Sequence, residues 1–211
     1  SQLIGEFVKK KYNKDYLKLS EKEKIDFLKS KLNSKKNIIN KFQFKNKENK
    51  EVWSTFNLLS NEPSECLGAY VISMTSSASD ILSVSFLQKE AKIKNKLRVV
   101  PLFETLDDLI NAKSIMENLF SHKWYRNLIK HKQEVMIGYS DSSKDAGKMC
   151  ASWHQYKAQE EIVKLGNKYK IDITFFHGRG GSAGRGGGPI QATLRSLPPH
   201  SVNGKIRITD Q

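Results

Sequence analysis

A chain of 211 residues with 38% hydrophobic content can bury one sizeable core or two small ones, which excludes a wholly disordered protein. No apolar run approaches the roughly eighteen residues of a membrane span, and no signal peptide of the charged–apolar–small type opens the chain. The formal charge of +14 comes mostly from residues 1–50, where Lys is interleaved chiefly with Asn and Ile, as in KKNIINKFQFKNKENK. That pattern favours a solvated face over a nucleic-acid site. Cys66 and Cys150 match no disulfide or metal spacing and fit a reducing compartment. The expected setting is cytoplasmic, with no membrane and no nucleic-acid partner. Ser1 rather than Met opens the chain, so it is expected to be a piece of something longer.

The N-terminal part reads as helical. Ser20 and Glu23 have capping-box spacing, and Ile25, Leu28 and Leu32 then share one helical face. From about Leu67 four short apolar runs follow: LGAYVISM, LRVVPLFE, EVMIGYSD and ITFFHGRG. Helical patterns separate them. SASDILSVSFLQKEA follows the first run and TLDDLINAKSIMENLFS the second. After the third, Ala146, Met149, Cys150, Trp153, Tyr156 and Val163 mark one face of a long helix. KIRITDQ reads as a fifth strand. Alternating strands and helices with near-continuous apolar strands predict a parallel sheet covered on both faces.

Such a sheet is either doubly wound or closed into a (β/α) barrel. Glu104, Asp141 and His177 each fall at the C-terminal end of a predicted strand, at nearly equal intervals, and a barrel collects strand ends around one mouth. The fold class predicted is therefore α/β, a partial (β/α) TIM-type barrel. Residues 1–65 form a mainly helical lysine-rich segment and residues 66–211 the partial barrel.

FHGRGGSAGRGGGP, from Phe176 to Pro189, holds more than half of the thirteen glycines. It lacks the lysine of a Walker loop. Gly178, Gly180 and Ala183 satisfy a dinucleotide pattern, but no acidic residue stands about twenty positions on to hold a ribose. An RGG-type RNA-binding segment, a loop without ligand and an anion cradle remain as readings. In the cradle, glycine backbones admit an oxyanion closely while Arg179 and Arg185 add charge-assisted bonds. Glu104 and Asp141 are either N-caps of the helices that follow or ligands of a hard divalent cation, Mg²⁺ or Mn²⁺. His177 is either a structural histidine or an acid–base group. Lys144, three residues after Asp141, either balances the carboxylates or meets an anionic substrate. His122, His131, His154 and His200 read as surface or structural.

FHGRGGSAGRGGGP, VMIGYSDSSKDAG, LRVVPLFETLDDL, ECLGAYVISM and WYRNLIKHKQEVMIGYSDS resemble the motifs of the phosphoenolpyruvate carboxylases, in the same order. The lysine-rich LSEKEKIDFLKSKLNSKK is similar to the helical region before that family's barrel strands, and the family's enzymes are far longer than this chain. The resemblance implies the metal-dependent reaction of phosphoenolpyruvate with bicarbonate to give oxaloacetate and phosphate, through carboxyphosphate and an enolate. It implies Glu104 and Asp141 as metal ligands, His177 as a residue that positions carbon dioxide, and Lys144 as a bicarbonate contact. Arg179 and Arg185, with Gly180 and Gly181, would hold the phosphoryl group. A homotetramer and feedback inhibition by aspartate or malate acting on Arg185 are also implied. The fragment alone is expected to be inactive. Two other readings stay open: a phosphotransferase of the pyruvate group, and a basic RNA-binding protein using the RGG-like loop.

Overall fold

The structure, a computed structural model, describes residues 1–39, 42–178 and 190–209. The chain forms two compact units, one of Ser1–Tyr70 and Ser77–Val99, the other of Val71–Ser76 and Val100–Gln211.

The first unit is helical. α1 spans Gln2–Tyr12, α2 Glu21–Asn33, α3 Lys47–Asn61 and α4 Ala78–Glu90. The predicted capping box is present at α2, where Ser20 accepts the Glu23 N–H and the Glu23 carboxylate accepts the Ser20 N–H at 2.8 Å. Ile25 and Leu28 of the predicted face are buried and Leu32 is half-buried, and Phe7, Tyr16, Phe56, Ile81 and Phe86 are buried in the same unit. Glu21 of α2 caps α4 from outside: its carboxylate accepts the Ser79 N–H at 2.7 Å and the Ser79 hydroxyl at 2.9 Å.

At the other end of α4, Glu90 is wholly buried. Its carboxylate accepts the N–H groups of Ile38 (2.5 Å) and Ile39 (2.8 Å) and pairs with Lys89 at 3.4 Å. Removing it strands two backbone donors and takes the counter-charge from Lys89, whose ammonium keeps the Lys31 and Lys36 carbonyls as acceptors. Glu90→Ala is therefore expected to destabilise this unit by about 3–5 kcal/mol. Chemical denaturation would show it as a lower midpoint, and an unchanged midpoint would contradict the assignment.

The sheet has five strands, β1 (Ala69–Ile72), β2 (Arg98–Phe103), β3 (Lys132–Gly138), β4 (Asp172–Gly178) and β5 (Arg207–Ile208). They lie in chain order, and β2–β3, β3–β4 and β4–β5 pair in parallel. A doubly wound sheet reverses its strand order at a switch point, whereas a barrel adds each strand beside the last. The unreversed order, with helices between the strands, makes the fold a partial (β/α) barrel. Of the fifth predicted strand, only Arg207 and Ile208 are extended, and Asp210 and Gln211 lie outside the described residues.

The helices of the second unit are α5 (Leu106–Ser121), α6 (Lys123–Leu128), α7 (Ser140–Ala146), α8 (Lys148–Tyr169) and α9 (Ile190–Arg195). The long helix expected after the third strand is two helices. Gly147, at φ 77°, occupies a backbone region that favours glycine and separates α7 from α8.

The predicted buried face is also corrected. Met149 is 89% exposed and Trp153 57%, and Cys150 is exposed. The buried face is Ala151, Gln155, Ala158, Ile162 and Leu165. That face joins Ile162 and Leu165 to two alanines and a glutamine, so its N-terminal half is less apolar than the face that Met149 and Trp153 mark. Lys113 of α5 pairs with Glu161 of α8 at 2.5 Å. With Lys164 it holds the Glu161 carboxyl down at about 2. Among the described residues no helix is long and apolar enough to cross a membrane.

Candidate active site

The register aligns three strand ends. Phe103 is opposite Ile137, Ile137 is opposite His177, and Gly138 is opposite Gly178, so Glu104, Gly138 and Gly178 stand at one level. Strand alternation then sorts the side chains. Phe103, Val135, Ile137, Phe175 and His177 form one face, and all are 0–1% exposed. Glu104, Met136, Gly138, Phe176 and Gly178 belong to the other. There Arg207 lies over the Phe176 ring, 4.5 Å from its centroid, and pairs with the buried Glu134.

Glu104 follows β2 directly. It does not cap α5: Thr105 does, accepting the Asp108 N–H at 3.1 Å in a capping box. Asp108 returns to the N–H groups of both Glu104 (3.2 Å) and Thr105 (3.1 Å), which fixes the backbone under the carboxylate. Glu104 Oε1 accepts the Met74 N–H at 3.1 Å.

Gly138 makes this placement possible. A Cβ there would stand 2.7 Å from Glu104 Cβ and 2.8 Å from Glu104 Cα. Only a residue without a side chain lets the two strand ends approach so closely.

Asp141 is likewise no cap. Tyr139 is the N-cap of α7, and Asp141 lies in the first turn with its side chain half exposed. Lys144 Nζ is 3.1 Å from Asp141 Oδ1, so the structure brings these two predicted residues together. α7 is strapped to the strand end beneath it. Gln155 of α8 donates to Ser142 Oγ at 2.8 Å and to the Gly138 carbonyl at 3.3 Å, and Ser143 donates to the Tyr139 carbonyl at 2.7 Å. The Leu106 N–H reaches Asp145 at 3.3 Å, tying the start of α5 to α7.

His177 is completely buried, on the face opposite Glu104. Its Nδ1 lies 2.8 Å from the Tyr139 hydroxyl, and its carbonyl accepts the Thr209 N–H at 3.0 Å. Arg179, Gly180, Gly181 and Arg185 lie outside the described residues.

Among the described residues no three His, Cys, Asp or Glu side chains cluster as a ready metal cage. The donor set nonetheless suits a hard cation of the magnesium type, which takes one or two carboxylates and fills its remaining positions with water and substrate oxygens. Glu104 and Asp141 are two such carboxylates at neighbouring strand ends, and neither is consumed by capping.

A family model described as phosphoenolpyruvate carboxylase matches residues 2–211. The chain belongs to the phosphoenolpyruvate carboxylase family. It is similar to phosphoenolpyruvate carboxylase 3 of Arabidopsis thaliana, 50% identical over 196 residues that cover 93% of this chain and 20% of the relative. The C4 phosphoenolpyruvate carboxylase of Flaveria trinervia gives the same identity and coverage. The phosphoenolpyruvate carboxylase of Proteus mirabilis (strain HI4320) is 50% identical over 197 residues, 93% of this chain and 22% of the relative. The chain thus spans about a fifth of the length of the carboxylases it matches.

Within this carboxylase-family segment, sequence reasoning passed over several residues that shape the site. Tyr139 meets His177, Gly138 admits Glu104, Asp108 fixes the Glu104 backbone, and Ser142 with Gln155 holds α7. Thr105 and Asp108 have capping-box spacing, a signal open to sequence reading. The partners of Tyr139, Gly138 and Gln155 come from other elements, so spacing along the chain carries no signal of those contacts.

Proposed function

We propose that the protein carrying this chain is a phosphoenolpyruvate carboxylase, joining phosphoenolpyruvate and bicarbonate to give oxaloacetate and inorganic phosphate. The observation that carries this reading, beside family membership, is a pair of carboxylates, just past neighbouring strands, that cap neither of the helices they precede or begin. Glu104 and Asp141 would hold Mg²⁺ or Mn²⁺, which supplies positive charge where an oxygen becomes negative in the reaction.

Lys144 balances Asp141 and offers a cation to an anionic substrate. Arg179 and Arg185 follow β4 in sequence and suit the phosphoryl group, because a guanidinium fork matches its oxygens in pairs. Gly180 and Gly181, having no side chains, would let backbone N–H groups approach the same oxygens. Cytoplasmic residence, a homotetramer and inhibition by aspartate or malate belong to the same reading, as does the inactivity of residues 1–211 alone.

Release of oxaloacetate and phosphate by the intact protein, with and without bicarbonate and Mg²⁺, tests the proposal. Both products are expected only when both are present. A folded protein that releases neither product would end the carboxylase reading.

A further inference from the structure

Tyr139 and His177 stand at the ends of neighbouring strands and meet there, with the Tyr139 hydroxyl 2.8 Å from His177 Nδ1. Register puts the His177 ring with Phe103, Ile137 and Phe175 on the buried face, while Glu104 belongs to the opposite one. A ring wholly out of solvent on that face is not placed to meet a substrate arriving beside Glu104. It is placed to hold the end of β3, because its partner lies two residues before Asp141.

That anchor matters because α7 has seven residues and no side-chain cap at its N-terminus. A helix so short cannot fix its own position through internal hydrogen bonds, so tertiary contacts decide where Asp141 stands. Two of these contacts come from helix layers, Gln155 with Ser142 and the Leu106 N–H with Asp145. From the sheet side, Ser142 donates to the Gly138 carbonyl at 3.3 Å, and Tyr139 meets His177 across to the neighbouring strand. The His177 carbonyl also accepts the Thr209 N–H just past β5, which seats the end of β4 against its other neighbour.

We infer that Tyr139 and His177 are a positioning pair. They lock the end of β3, and with it Asp141, to the end of β4, and they act on the reaction through the cation-holding carboxylate rather than by touching substrate. The inference rests on the carboxylase reading for its consequence in turnover, and on geometry alone for its consequence in metal binding.

The test uses the intact protein with Tyr139→Phe, His177→Asn and both together. Mn²⁺ binding without substrate is followed by electron paramagnetic resonance, alongside KM for each substrate and the melting temperature. Each single change is expected to weaken Mn²⁺ binding about 10-fold, the range of residues that orient a metal ligand. The double variant should be no weaker than the singles, since both break one contact. KM for bicarbonate should stay at the wild-type value.

A raised bicarbonate KM in His177→Asn, with Tyr139→Phe like wild type, would overturn the inference in favour of direct substrate contact. Lower melting temperatures with unchanged Mn²⁺ binding would overturn it in favour of mere packing. A wild type that binds Mn²⁺ yet makes no oxaloacetate would sink the carboxylase reading and leave the Mn²⁺ comparison to decide the positioning pair. A wild type that binds no Mn²⁺ would overturn the pair's role as well.

Discussion

Asp141→Asn in the intact protein is expected to lower the carboxylation rate by about 10²–10³-fold while leaving the melting temperature within a degree or so of wild type. The rate term follows from the proposed chemistry. A bound cation that neutralises a developing oxyanion contributes several kcal/mol, and each 1.4 kcal/mol is about tenfold in rate. An amide in place of the carboxylate keeps one oxygen but loses the charge that holds the cation. The stability term follows from the structure. Asp141 is half exposed and its partner Lys144 is 77% exposed, so their pairing contributes little to the fold. Mn²⁺ binding should weaken in parallel with the rate. Near-normal turnover in Asp141→Asn would remove this residue from the metal site, whatever became of the rest of the reading.

The second large effect is at Gly138, where Gly138→Ala should lower both stability and turnover. The added Cβ would press on Glu104 at 2.7 and 2.8 Å, against Cβ and backbone rather than against the end of a flexible chain. The strand ends must part, at a cost of about 1–3 kcal/mol for overpacking. Glu104 would move with its backbone, and its capping-box support from Asp108 would move too. A displacement on the order of 1 Å at a catalytic group costs about 10²-fold in rate. Thermal melting and initial-rate measurements on one preparation check both parts. Full activity with normal melting would show that β2 and β3 tolerate separation, and that the close approach does not position Glu104.

Much of this architecture was legible without coordinates. The Ser20–Glu23 box, the helices after each apolar run and the parallel strands are local features, set by caps, periodicity and chain order. Glu104 and His177 were legible as strand-end residues for the same reason, whereas Asp141, expected to close the third strand, stands in the first turn of α7. The capping alternative for the two carboxylates was not resolvable along the chain, because Glu104 and Thr105 are both candidates for the start of α5, which Thr105 takes with Asp108, and Tyr139 takes the N-cap of α7. Only backbone geometry shows which residue wins.

The face of α8 was misread because the buried N-terminal half of the helix consists of Ala151, Gln155 and Ala158, with Ile162 and Leu165 only further on. Hydrophobicity alone would have chosen Met149 and Trp153, which are exposed.

The sequence by itself determined the family, the order of strands and helices, and the place of Glu104 and His177 at strand ends. Those properties depend on neighbours within a few residues. Tertiary structure alone decided that His177 turns to the buried face and meets Tyr139, that Gly138 makes room for Glu104, and that Glu90 collects backbone donors from Ile38 and Ile39. Those are contacts between groups remote in the chain. Close packing and the need to satisfy buried polar groups fix them only once the elements have come together.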